Sequence, residues 1–189
     1  MINLIIDSTH FKRDRSLNKL ELTKLKALGK RDYLKIHIPW FVYKECTSTY
    51  KEEIGIKLNN VKTILKTLDR QGIDESTQNH FLEIAGNIDH LHQNIEQSIA
   101  DNWKIFIEES KAELYPFDEK ISSLVYESYF EGSPPFKSLK SRKDIPDAYI
   151  YQRIKNVSEL GATYLISGDR NLRDKSTELN NVIAFEKCV

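Results

Sequence analysis

Cysteine is nearly absent: Cys46 and Cys188 are the only 2 in 189 residues. Two are too few for a disulfide framework, and they fit a reducing compartment where a free cysteine serves as a small apolar filler. Glycine and proline are scarce, at 7 and 5, and there is no low-complexity tract, internal repeat or evident linker. What remains is a globular, ordered chain rich in helix. No apolar run approaches the roughly 20 residues of a membrane span. No basic segment precedes the first apolar run, so neither a secretory leader nor a membrane anchor is expected, and a cytoplasmic location is. Net charge is also lacking. The 28 basic and 28 acidic residues cancel, so any case for a polyanionic partner must rest on local distribution.

What is present is an alternation of short apolar runs and helical stripes. Residues 2–7, INLIID, are apolar and rich in β-branched side chains, as in a strand buried on both faces of a parallel sheet. Residues 10–33 are strongly basic, and Leu17, Leu20, Leu22, Leu25 and Leu28 predict one helical stripe against that sheet, with Gly29 at its end. Residues 34–38, LKIHI, predict a second strand. Pro39 then opens a helix carrying Trp40, Phe41, Val42, Tyr43, Glu45 and Cys46. Further strands are predicted over 112–116, 162–167 and 181–186, with helices over 117–131, from Ala148 to Val157, and from Leu172 to Leu179. The alternation predicts an α/β fold, a doubly wound parallel sheet of about five strands flanked by helices, which binds ligands at the carboxyl ends of its strands.

Residues 50–110 differ in character. Ile54, Leu58, Val61, Leu65 and Leu68, and then Phe81, Ile84, Ile88, Leu91, Ile95, Ile99, Trp103 and Phe106, recur at helical spacing. A break with capping residues at 71–77 separates them. This predicts a long αα-hairpin inserted into a single domain spanning 1–189. The hairpin is acidic overall and is expected to project from the domain or to support a homodimer. His80, His90 and His92 lie along it without sharing a helical face, which argues against a metal site there.

Five carboxylates occupy places where a parallel sheet binds ligands. Asp7 ends the first apolar run, Glu45 follows the second strand, and Asp169 follows the fourth. Asp144 and Asp147 stand three residues apart where a basic, proline-containing loop runs into a helix. Asp7 reads equally as a turn residue or helix cap beside Ser8 and Thr9, and Asp144 equally as the cap ahead of Ile145-Pro146. Magnesium and manganese are hard cations that take oxygen ligands. A nuclease uses such ions to hold a phosphate oxygen, activate a water and stabilise the leaving oxygen, often with two ions about 3.5–4 Å apart. Carboxylates from separate segments, with no sulfur and few histidines, meet that need. Clustered without a cation they would raise one another's pKa and destabilise the fold, a cost that favours function if they converge. Lys12, Arg13 and Arg15 in the first basic segment, and Lys140, Arg142 and Lys143 in the second, are candidates to hold a phosphodiester backbone, as are Arg170 and Asn171 beside Asp169. The alternative for each is a solvated surface charge.

The segments NLIID, PWFVYKE, KDIPDAYIY and LISGDRNL, in that order, resemble the PIN domain family. The likeness is greatest to a bacterial branch with a helical insertion after the second acid. It covers the two ends of the chain, 1–50 and 112–187, and leaves the hairpin outside. The resemblance implies a metal-dependent ribonuclease acting on single-stranded RNA with one or two Mg²⁺ or Mn²⁺ ions. It also implies that Asp7, Glu45, Asp147 and Asp169 form the family's acidic quartet, with Asp144 as a further candidate ligand. Asp7, Asp147 and Asp169 would hold the ions, and Glu45 would bind through a water or orient the nucleophile. Ser167 would stand for the small hydroxyl residue that supports the first aspartate.

Three functions follow. The first is a metal-dependent endoribonuclease, as a toxin or defence effector, with an antitoxin or other protein partner left open. The second is an interaction module that keeps the fold but works through the hairpin. The third is another phosphoryl enzyme on a doubly wound sheet, such as a receiver-like or phosphatase domain. Against the third, no Asp-x-Asp follows the first strand and no suitably placed lysine follows the strand after Gly161.

Overall fold

The structure, a computed structural model, describes residues 1–69, 71–72 and 74–187. Cys188 lies outside the described residues. The chain divides into two compact units, Met1–Cys46 with Trp103–Val189, and Thr47–Asn102.

The first unit is built on a parallel sheet. Its strands are β1 (Ile2–Ile6), β2 (Leu34–Ile38), β3 (Glu113–Leu114), β4 (Thr163–Ile166) and β5 (Val182–Phe185). Their order is β3-β2-β1-β4-β5, and every neighbouring pair is parallel. The apolar runs become strands because their side chains are covered. Leu4, Ile5, Ile6, Ile36, Ile38 and Leu165 are all buried. The helices of this unit are α1 (Ser8–Arg13), α2 (Leu20–Lys30), the start of α3 (Trp40–Asp69), the end of α4 (Glu75–Ser110), α5 (Glu119–Glu131), α6 (Ile145–Ser158) and α7 (Arg170–Ser176). They cover both faces of the sheet. Leu25 of α2 shares a recess with Ile2, Leu4 and Leu34. On the opposite pleat His37 is buried, with Nδ1 2.8 Å from the Tyr115 hydroxyl and Nε2 3.0 Å from Asn3 Oδ1. Arg153 of α6 lies over the Tyr115 ring, 3.9 Å from its centroid. Burial pulls the His37 imidazole down to about 4, so at neutral pH it is an uncharged link in the core.

The basic segment is two helices rather than one stripe. The Asp14 side chain accepts from Ser16 Oγ at 2.8 Å and from the Lys19 backbone N–H at 2.6 Å. Leu17 turns to a φ of 56°. These bonds offer the backbone an alternative to helix and break the leucine register. Leu17 and Leu22 are buried, while Leu20 and Leu28 reach solvent. Gly29 lies within the last turn of α2 rather than beyond it. A Cβ there would stand 2.3 Å from the Ser110 carbonyl oxygen, so glycine is required for close backbone approach.

In the second unit the facing parts of α3 and α4 run antiparallel. Lys51 Nζ lies 3.3 Å from Glu96 Oε1, and Lys62 pairs with Asp89. Asp74 starts α4 by accepting from the Thr77 N–H at 3.0 Å and the Thr77 hydroxyl at 2.8 Å. The helix that carries Glu45 is continuous with the first helix of this pair. No helix among the described residues is long and apolar enough to cross a membrane.

Candidate metal and nucleic-acid site

The sheet itself brings the first two acids together. Strands β1 and β4 are neighbours, with Ile6 opposite Ile166, and the Asp7 N–H donates to the Ile166 carbonyl at 2.8 Å. Asp7 and Ser167 are therefore side by side at the carboxyl ends of adjacent central strands. Ser167, fully buried, donates from Oγ to Asp7 Oδ2 at 3.0 Å and accepts from the Asp169 N–H at 3.0 Å. One hydroxyl thus fixes both the first and the last acid. Asp7 Oδ1 accepts from the Ser8 N–H at 2.6 Å, making Asp7 the cap of α1 as well. Asp169 caps α7, its Oδ1 accepting from the Leu172 N–H at 2.7 Å.

Asp147 sits in the first turn of α6. Burial and, after it, the charges of Asp169, Asp7, Asp144 and Glu45 push its carboxyl up to about 7. All five carboxylates are thus within electrostatic reach of one point. Asp144 occupies the position before α6 without making a capping hydrogen bond, and its Oδ2 accepts from Ser141 Oγ at 2.6 Å. Glu45, half-buried on α3, is paired with Lys12 of α1, whose Nζ lies 2.8 Å from Oε1.

Two contributors had escaped the sequence reading. Thr9 Oγ1 donates to Asp7 Oδ2 at 2.8 Å and receives the Gly168 N–H at 3.4 Å, linking β1 to the turn after β4. Arg173 donates to the Ser167 carbonyl at 2.7 Å. For Thr9 the only signal was a hydroxyl two residues beyond Asp7. Arg173 had none.

The basic candidates divide. Lys12 joins the carboxylates directly. Arg142 and Lys143 form the exposed turn that leads into Asp144. Arg170, next to Asp169, is largely exposed, with Nε 3.5 Å from Asp174. Asn171 donates its amide to the Pro135 carbonyl at 3.0 Å, tying α7 to the loop before Asp144. Lys140 is drawn aside, its ammonium 5.8 Å from the Phe130 ring centroid. Arg13 lines a separate recess with His10, Asp14 and Lys19. Arg15 is exposed on the turn after α1.

The donor set is entirely carboxylate, with no thiolate available. Burial pushes the neighbouring Cys46 thiol up to about 12. Hard divalent cations suit such a set, and a bound cation would relieve the repulsion that raises Asp147. As the side chains stand, no three His, Cys, Asp or Glu among the described residues form a ready-made metal cage. Glu45 is turned to Lys12, and Asp169 Oδ1 is engaged by α7.

A family model described as PIN domain matches residues 4–171. Neither a curated protein nor a solved structure matches the chain.

Proposed function

Because the chain belongs to the PIN domain family, whose members are generally nucleases that bind divalent metal ions, we propose that it is a Mg²⁺- or Mn²⁺-dependent endoribonuclease that hydrolyses phosphodiester bonds of single-stranded RNA. The observation that carries the reading is the convergence of Asp7, Glu45, Asp144 and Asp169 on Asp147, whose carboxyl is pushed up to about 7 by burial and by their charges. Asp7, Asp147 and Asp169 hold one or two ions, with Asp144 as an outer member of the set. Such an ion supplies a Lewis acid for the phosphate oxygens and a water of lowered pKa.

The protein's own groups position and orient. Ser167 and Thr9 hold Asp7 Oδ2 in one direction. Ser167 also holds the backbone of Asp169, so the two aspartates keep a fixed separation. Glu45 would bind an ion through a water or orient the attacking water. Lys12, Arg142, Lys143 and Arg170 contact the RNA backbone, giving salt-sensitive binding with little sequence reading. Such an activity in a cell fits a toxin or defence effector restrained by a protein partner. The test is incubation of the purified protein with labelled single-stranded RNA, duplex RNA and single-stranded DNA, each with Mn²⁺, Mg²⁺ or EDTA. Metal-dependent internal cleavage of single-stranded RNA supports the proposal, and intact RNA under every condition contradicts it.

A second reading rests on the helical unit. Ile56, Ile64, Leu82, Leu91 and Val61 are exposed there. Apolar side chains of this number on one small unit favour a protein contact, either a homodimer or assembly with another chain. Replacing Ile56, Ile64, Leu82 and Leu91 with serine would abolish that association and leave cleavage in place.

A further inference from the structure

Resting on the ribonuclease reading, we propose that Trp40 and Phe117 form a stacking platform for one nucleobase of the single-stranded RNA, at the same end of the sheet as the carboxylates. Both residues follow strands, Trp40 after β2 and Phe117 after β3. The sheet is parallel throughout, so this is the end that carries Asp7 and Asp169. The two ring centroids are 5.3 Å apart with their planes at 66°, so Phe117 offers the face for the base and Trp40 a side wall. Phe117 is 48% exposed, high for an aromatic side chain packed against two others.

The rings are held from behind and tied to the carboxylate elements. Trp40 packs on Phe41 at 5.0 Å, Phe41 on Tyr149 at 4.0 Å, and Phe117 on Tyr149 at 6.3 Å. Tyr149 lies two residues beyond Asp147 on α6, and Phe41 lies one helical turn before Glu45 on α3. A base stacked on this surface is thereby positioned relative to the acids by two rigid helices. Cations flank the rings. The Lys44 ammonium is 5.7 Å from the Trp40 centroid, and Arg153 lines the shallow cleft shared by Trp40, Phe117 and Pro39. The one acid in that cleft, Asp118, is paired with Arg153 at 3.4 Å, so the two cancel and Lys44 carries the positive charge beside the rings.

A nucleobase suits this patch better than a protein partner. Two aromatic side chains offer at most about 150–250 Å² each. A stable protein contact takes roughly 800 Å² from each partner. Aromatic faces beside cations are what single-stranded RNA uses, since every base presents a π-face and every linkage a negative charge.

The test is fluorescence anisotropy of a labelled oligoribonucleotide, and of an abasic oligomer of equal length, with the full-length Asp147→Asn protein. Phe117→Ala and Phe117→Trp are added to that background, and each protein's melting curve is recorded. Loss of one stacked base weakens binding about 5- to 100-fold. The inference expects that loss for Phe117→Ala with the normal oligomer, recovery with Phe117→Trp, and no difference between variants with the abasic one. Equal affinity of Phe117→Ala and Phe117→Trp for the normal oligomer overturns it. So does loss of self-association in Phe117→Ala with RNA binding intact, which would assign the rings to a protein contact. Failure of every form to bind RNA overturns it together with the ribonuclease reading. Phe117-dependent binding by a protein that never cleaves RNA would leave the platform standing and sink the nuclease.

Discussion

The ammonium of Lys12 lies 2.8 Å from Glu45 Oε1, so a lysine of the protein sits against one of the carboxylates assigned to the metal site. Both side chains are partly exposed, and such a pair contributes up to about 1 kcal/mol. That is enough to compete with an ion and too little to prevent it from binding. We predict that Lys12→Met binds Mn²⁺ a few-fold more tightly than the parent by calorimetry, while its affinity for RNA falls. Unchanged metal affinity would show that Glu45 takes no part in holding the ion.

Ser167 is the joint between two acids, and its removal is expected to cost both stability and geometry. Ser167→Ala leaves the partly buried Asp169 N–H without its acceptor and takes one buried donor from Asp7 Oδ2. An unsatisfied buried group costs about 1–3 kcal/mol. Urea unfolding of the variant should show a midpoint shift of that size with an unchanged slope. A shift within error would mean that other groups or water replace the hydroxyl.

The raised carboxyl of Asp147 makes the metal-free protein pH-sensitive. Its folded value, about 7, lies above the ordinary aspartate value of 3.8, so the folded state holds the proton more tightly than the unfolded chain does. Stability from this group is therefore complete below about pH 4 and is lost as pH rises through 7. Three pKa units correspond to about 4 kcal/mol at most. Partial exposure and relaxation should reduce this to about 1–2 kcal/mol. In EDTA at pH 8, Asp147→Asn should accordingly melt higher than the parent. Mn²⁺ should raise the melting temperature of the parent and leave that of the variant nearly unchanged. A variant less stable than the parent at pH 8 would contradict the electrostatic account.

Gly29→Ala tests the packing of α2. The added methyl would lie 2.3 Å from the Ser110 carbonyl oxygen. Backbone on both sides must shift, at an expected cost of about 1–3 kcal/mol, despite the better helix propensity of alanine. Thermal denaturation decides the sign, and a stabilised variant would mean that the two segments separate easily.

Four of the strands were readable as short, mainly apolar runs, whereas β3 is only Glu113–Leu114 within the 112–116 run, and their parallel order follows from the helices between them. The leucine spacing through 17–28 suggested one helix because nothing in it reveals the bonds that Asp14 makes to Ser16 and Lys19. The carboxylates after strands were visible one by one. What fixes them was not, because it spans distant parts of the chain: Ser167 and Thr9 meet at Asp7 from opposite ends of the sequence, and Lys12 reaches Glu45 on another helix. Local patterns record the end of a strand. They do not record which side chain is beside it in the neighbouring strand.

The most direct measurement is cleavage of labelled single-stranded RNA by the purified protein in Mn²⁺, beside its Asp147→Asn variant and an EDTA control. The account predicts internal cleavage by the parent, abolished by EDTA and by the variant, with both proteins folded by circular dichroism. Cleavage that persists in Asp147→Asn, or no cleavage by the folded parent in Mn²⁺, would contradict it.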